Sequence, residues 1–294
     1  MEGGEKRLLK DYPRRNINYE QLDSLLLTYN EPFILVVNWG GITFEFLIKL
    51  KQHSEHLIVL GSGAMNFNEN RIPPPYFQRH SWIQDFEYST IYYNDPTLYA
   101  DSELLVGWGQ GINKRFFLKD IATILEKLIK KVSIPFEKVI FYGSSAGGYM
   151  SLFLAGYLKD SIALVNSPQT NLLKWLKTPV KQVFKYSYPN MSEAEIVNTY
   201  FDRIDVVHFY KQIKYVPKIY YLQNAYCEID IKDHVIPFIM GIQGMGAGCQ
   251  VNNVILDFYY DVRPGPAGRP EIGGHGALGK ADTLKYIDKV KREF

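Results

Sequence analysis

The sequence predicts an α/β fold, a mostly parallel sheet covered by helices. Short apolar runs rich in β-branched and aromatic residues recur along the chain, alternating with stretches of helical periodicity. The runs are apolar at nearly every residue rather than at every second one, as strands buried on both faces are. The chain has 294 residues, 46% hydrophobic and 22% charged, enough to bury a sizeable core and unlike disordered or fibrous compositions.

In chain order, strands are expected at 33–38 (FILVVN), 57–61 (LIVLG), 89–94 (STIYYN), 138–142 (KVIFY), 161–166 (SIALVN), 218–224 (KIYYLQN) and 253–260 (NVILDFYY). A helix over 115–131 would place Leu118, Ile121, Ile124, Leu125 and Leu128 on one face. Residues 147–158 are apolar nearly all round, which suits a helix buried between the sheet and its neighbours. Residues 62–88, rich in Asn, Pro and aromatics, read as an irregular excursion at a strand's carboxyl end. Residues 168–217 contain several helical pieces, one opening on a capping box at 192–195 (SEAE), and read as a helical cap inserted into one 1–294 domain. A final helix is expected after residue 280.

Charge narrows the function. The net charge is +2, and the basic residues are scattered, with only short runs at 127–131 and 289–292 that suit solvated helix faces. Nucleic acid is not an expected partner. Two cysteines, Cys227 and Cys249, cannot build a disulfide framework, and no His or Cys pair has metal-ligand spacing. The first sixteen residues lack the apolar stretch of a signal peptide, and the strongest apolar run, 32–37, is far short of a membrane span. A soluble, cytoplasmic protein is expected, with peripheral association to a membrane complex left open.

The chemistry is concentrated at VIFYGSSAGG, residues 139–148. Gly143-Ser144-Ser145-Ala146-Gly147 fits G-x-S-x-G with Ser145 in the nucleophile position. The pattern follows a predicted strand and precedes a predicted buried helix, the strand–turn–helix setting of a nucleophile elbow. Small residues on either side let the serine project above the sheet, and the Ala146 N–H at the helix start can donate to a developing oxyanion. Ser144 should point elsewhere.

A serine hydroxyl needs a base, and in this architecture the acid and then the histidine follow it in the chain. Of six histidines only His275 lies beyond the last predicted strand, in the glycine-rich stretch RPEIGGHGALGK. The acid should follow KIYYLQN, where Glu228, Asp230 and Asp233 are available; Asp230 is the first choice. His234 is also near, but precedes the last strand. A second oxyanion donor is expected after LIVLG, from the backbone of Ser62, Gly63 or Ala64. The same stretch, GSGAMN, has Asn66 where a dinucleotide-binding pattern needs glycine, and GMGAG at 244–248 precedes a strand rather than following one.

These residues carry a resemblance. FYGSSAGGYMSLFLA, ALVNSPQTNLLKWLK and the final GGH loop resemble a bacterial branch of the α/β-hydrolase superfamily associated with surface polysaccharides. That branch includes capsule O-acetyltransferases and the acetyltransferase component of accessory secretion systems. The likeness spans roughly residues 57–290; Asn166-Ser167-Pro168-Gln169, and YNDPTLY with GWGQG within 93–111, are its more specific parts. The resemblance implies an α/β-hydrolase fold and a triad of Ser145, Asp230 and His275. It also implies ping-pong acyl transfer, with acetyl-CoA as a donor substrate, no bound cofactor, and a saccharide or glycoconjugate acceptor. Some of the 22 tyrosines and 4 tryptophans could stack on sugars, although most of such an excess is core. A general carboxylesterase or peptidase, and a catalytically silent scaffold in a polysaccharide or secretion assembly, stay open at this point.

Overall fold

The computed structural model describes residues 9–65, 72–265 and 269–294. Asn66 lies outside them, as do the first eight residues and 67–71 of the 62–88 excursion. In chain order the strands are β1 (Arg14–Asn18), β2 (Phe33–Trp39), β3 (Ile42–Lys49), β4 (Leu57–Gly61), β5 (Ser89–Tyr93), β6 (Val139–Ser144), β7 (Ile162–Asn166), β8 (Tyr215–Val216), β9 (Lys218–Asn224), β10 (Gln250–Val251) and β11 (Val254–Tyr259). The helices are α1 (Phe117–Val132), α2 (Ala146–Tyr157), α3 (Lys177–Ser187), α4 (Glu193–Tyr200), α5 (Val206–Ile213), α6 (Glu228–Asp230), α7 (Ile236–Gln243) and α8 (Lys280–Glu293).

Nine strands form one sheet in the order β1-β2-β3-β5-β4-β6-β7-β9-β11, while β8 and β10 make a separate parallel pair. Only β3 runs against its neighbours, so the sheet is mostly parallel, as expected. All seven predicted strands are present within two residues of their expected ends. Of the nine-stranded sheet, two strands were not predicted, β1 and β3, nor was the separate two-residue pair β8 and β10. β1 is a half-exposed edge strand with two arginines. β3 is interrupted by Glu45, which is buried but bonded by Arg14 at 2.5 Å and by the Tyr99 hydroxyl. The turn that joins β3 to β2 is Gly40-Gly41, both with positive φ, as a type I′ two-residue hairpin requires.

Successive residues of each central strand feed opposite faces of the sheet. Val139 and Phe141 of β6 join a core with α1, α2 and α5, while Ile140 and Tyr142 join a second core with Ile287 and Val290 of α8. α2 is buried all round, as its composition predicts; Leu152, Phe153 and Leu154 are each fully buried, a contribution of about 1.5–3 kcal/mol apiece. Between β7 and α5 the chain leaves and returns through a narrow neck. There Leu172 N–H donates to the Ile204 carbonyl and Val206 N–H to that of Thr170, and α3 and α4 lie beyond it. Among the described residues no helix is long and apolar enough to cross a membrane.

The strand order reverses direction between β4 and β6. Connections diverge there, and a crevice opens at the carboxyl ends of the strands, where ligands bind in open α/β sheets.

Candidate active site

Ser145 stands at that crevice, on the turn between β6 and α2. Its φ of 54° and ψ of −124° are unfavourable for a residue with a side chain, and a backbone of this kind costs on the order of 1–3 kcal/mol. The surroundings hold it: Ser145 N–H donates to the Asn166 carbonyl of β7, and Tyr149 N–H to the carbonyl of Ser145. The glycines are required by close approach. A Cβ on Gly143 would sit 2.2 Å from the Gly147 backbone, and one on Gly147 would sit 2.7 Å from the Gly61 carbonyl oxygen. Strand, turn and helix can pack this tightly only without those side chains.

The hydrogen-bond chain from Ser145 spans two distant segments. Ser145 Oγ lies 2.9 Å from His275 Nε2, and His275 Nδ1 lies 2.9 Å from each oxygen of Asp230. With Asp230 accepting, the Nδ1 proton is fixed and Nε2 is left to accept from the serine. Asp230 is fully buried in the first turn of a helical run that continues from α6 into α7. Burial on its own would raise the carboxyl's pKa. The His275 hydrogen bond and charge, with a further bond from Gln223 Nε2 at 3.1 Å, outweigh it and hold the group below its ordinary value.

The other candidates fall elsewhere. Glu228 is exposed and pairs with Lys232; Asp233 is half-buried and outside this chain of bonds. His234 is buried, its Nδ1 accepting from Thr170 N–H at 3.2 Å, and burial lowers its pKa to about 4, so it is neutral near pH 7. Ser144 points away from Ser145's partners and accepts from Arg79 Nη2 at 2.7 Å.

Ala146 N–H opens α2 and has no intrahelical acceptor, so it is free to face an oxyanion. Gly63 is close to Ser145: a Cβ placed on it would lie 3.8 Å from that of Ser145. Its N–H, however, donates to Gln78 Oε1 at 2.8 Å. Ser62 uses its hydroxyl to join the Tyr76 carbonyl and Gln78 N–H, which ties this loop to the 76–78 segment. Gly63 can serve an oxyanion only by releasing Gln78.

Several site residues were not singled out from the sequence. Gln169 is fully buried, and its Nε2 lies 2.9 Å from Ser145 Oγ. Trp108 Nε1–H donates to Gln169 Oε1 at 3.2 Å. Asp95 receives Thr97 N–H and Gly109 N–H, and Thr97 Oγ1 receives Gly111 N–H, so YNDPTLY and GWGQG are clipped together with Trp108 beneath Gln169. Trp175 packs on His275 with ring centroids 4.5 Å apart. Asn224, at the end of β9, donates to the Gly274 carbonyl at 3.0 Å and so anchors the histidine loop. The only signal for Gln169 and Trp108 was their place in motifs that carry the resemblance; for Asn224 it was a polar residue ending an apolar strand.

Among the described residues the one group able to offer three metal ligands is Cys227, Asp230 and His275, with atoms within 4.8 Å of one another. Burial pushes the Cys227 thiol up to about 12, and Asp230 and His275 spend their atoms on each other. That donor set suits proton transfer rather than a cation.

No family model matches the sequence, and no curated protein matches it. Solved structures do. The capsule O-acetyltransferase of Neisseria meningitidis serogroup A superposes with a TM-score of 0.59 at 16% identity, covering 87% of this chain and 96% of that one. A mutant of that enzyme in complex with CoA gives 0.56 at 15% identity, over 86% and 94%. The glycosylation associate protein complex from Streptococcus agalactiae gives 0.55 at 11% identity, over 86% of this chain and 44% of that one. Prolyl oligopeptidase B from Galerina marginata gives 0.58 at 15% identity, over 89% and 36%. With its mostly parallel sheet, flanking helices and these structural neighbours, the chain has the α/β-hydrolase fold.

Proposed function

We propose that the protein is a serine-dependent acyltransferase that moves an acetyl group to a saccharide hydroxyl through an acyl-Ser145 intermediate. The observation that carries this reading is the continuous bond chain from Ser145 Oγ through His275 to Asp230 on a strained elbow. The structural likeness to a capsule O-acetyltransferase, one form of which holds CoA, supports an acetyl-CoA donor and a saccharide or glycoconjugate acceptor.

In the first half-reaction His275 Nε2 takes the Ser145 proton as Oγ bonds to the acetyl carbonyl carbon. The tetrahedral oxyanion is held by Ala146 N–H, with a second donor from the Ser62–Ala64 loop. Collapse breaks the bond to the leaving group, which receives the proton from His275. In the second half an acceptor hydroxyl gives its proton to Nε2, attacks the acyl carbon and displaces Oγ, which recovers that proton. Asp230 stabilises the imidazolium throughout without taking its proton. In this reading residues 1–294 form one hydrolase domain, and the part of 168–217 beyond the neck, α3 and α4, is its cap. The protein works in the cytoplasm with no bound cofactor.

Water in place of the saccharide makes the same site an esterase or peptidase, the reading favoured by the likeness to prolyl oligopeptidase B. Intact-mass measurement after incubation with acetyl-CoA or p-nitrophenyl acetate tests the chemistry: a single acetyl adduct is expected on wild type and none on Ser145→Ala. Full turnover by Ser145→Ala would refute it. Faster loss of the adduct with added saccharides than with buffer separates transfer from hydrolysis.

A further inference from the structure

Gln169 holds the same two atoms that the chemistry uses. Its Nε2 is 2.9 Å from Ser145 Oγ and 3.5 Å from His275 Nε2. The side chain is fully buried, so its carboxamide cannot turn to water. Its orientation follows from its other end. Trp108 Nε1–H can only donate, so the atom facing it at 3.2 Å is the carboxamide oxygen, and the NH₂ group faces Ser145. Trp108 is itself buried, on the turn that Asp95 and Thr97 clip in place. The next residue, Thr170, is bonded to His234 through both its N–H and its hydroxyl. Gln169 is therefore fixed from three sides with a donor aimed at the reacting atoms.

We infer that Gln169 holds the oxygen of the attacking nucleophile against His275, first Ser145 Oγ and then the acceptor hydroxyl. This rests on the acyl-serine reading above. In the free enzyme, Oγ accepts from Gln169, so its own proton is directed to Nε2. Once Oγ has become an ester oxygen, it is a weak acceptor and no longer engages Nε2. The Gln169 N–H and the His275 Nε2 are then both open, 3.5 Å apart, and a hydroxyl between them accepts from the first while donating to the second. Its O–H bond breaks towards Nε2 as its oxygen bonds to the acyl carbon, and the proton returns to Oγ as the acyl–Oγ bond breaks. One side chain thereby aligns both half-reactions.

The test uses Gln169→Met, close in shape but without donors, and p-nitrophenyl acetate as the acyl donor. Acylation is followed by nitrophenol release, and discharge of the acyl-enzyme by intact mass with methanol or hydroxylamine added. A hydrogen bond to a group developing charge is worth about tenfold to a hundredfold in rate. Acylation and discharge by methanol should each fall by about that much. Discharge by hydroxylamine, a strong nucleophile that needs little proton removal, should fall less, and the pH at which activity rises should not move. Trp108→Phe, which frees the carboxamide but leaves the glutamine, should give a smaller loss of the same pattern. If Gln169→Met fails to fold, Gln169→Leu, also uncharged and without donors, carries the same expectations. Rates within threefold of wild type, or equal losses for methanol and hydroxylamine, would overturn the inference. Failure of wild type to form any adduct would instead remove the acyl-serine reading beneath it.

Discussion

Replacing Asn224 by leucine keeps its branched shape and removes four hydrogen bonds at one buried point. Asn224 Nδ2 donates to the Asp261 carbonyl at 2.7 Å and the Gly274 carbonyl at 3.0 Å; Oδ1 accepts from Asp261 N–H at 3.0 Å and Tyr226 N–H at 3.1 Å. These partners belong to the turn before the Asp230 helix, the segment after β11 and the residue before His275. One side chain thus ties the turn before Asp230 to the loop that carries His275. At about 1 kcal/mol per bond, and with backbone groups left unpaired, the loss is about 4 kcal/mol. For a chain somewhat above 250 residues each kcal/mol moves Tm by roughly 2–4 °C, so Tm should fall by roughly 8–16 °C. Gly274 has a φ of 81° and its N–H donates to the Arg263 carbonyl at 2.9 Å, so the loop keeps that bond when Asn224 is replaced but loses its tie to the end of β9. Turnover of p-nitrophenyl acetate, measured well below the new Tm, should fall by about tenfold or more as His275 loses register. Urea unfolding and turnover are measured on the same preparation. A variant within 1 kcal/mol of wild type, or one equally active per folded molecule, would refute the reasoning that Asn224 positions His275.

Two further outcomes follow from charge. Asp230→Asn leaves the shape of the site but favours the wrong imidazole tautomer, and kcat should fall by about 10³–10⁴, whereas Asp233→Asn and Glu228→Gln should stay within about threefold; steady-state kinetics on the three variants decide. His234, lowered from 6.5 to about 4 by burial, binds its proton in the unfolded chain before it does in the folded one. Its contribution is therefore complete above about pH 6.5 and lost as pH falls towards 4, costing about 3 kcal/mol over that window; denaturation at stepped pH should show this loss, smaller in His234→Gln.

The elements legible in the sequence were those whose cause is local. The seven predicted strands are continuous apolar runs, and α2 is apolar on every side because every side is covered. β3 escaped because a buried Glu45 breaks its run, and it takes the meeting with Arg14, Tyr99 and Asn94 to make that carboxylate tolerable. Gly143 and Gly147 were readable as clearance around Ser145 because the clash they avoid lies within the strand–turn–helix unit and its neighbouring strand.

By itself the sequence determined the strand alternation, the elbow at Ser145 and the chain order of serine, acid and histidine. It left three carboxylates within six residues, Glu228, Asp230 and Asp233, with no local rule to separate them. In the tertiary structure burial separates them: only Asp230 turns inward to His275, while Glu228 faces Lys232 at the surface. The tertiary structure also decided that Gln169 and Trp108 belong to the site and that Gln78 occupies Gly63 N–H. Ser145 and His275 are 130 residues apart, and Trp108 and Gln169 are 61 apart. Contacts of that kind are made by the carboxyl edge of the sheet, where segments distant in the chain converge, and no pattern within one segment encodes which side chains will meet there.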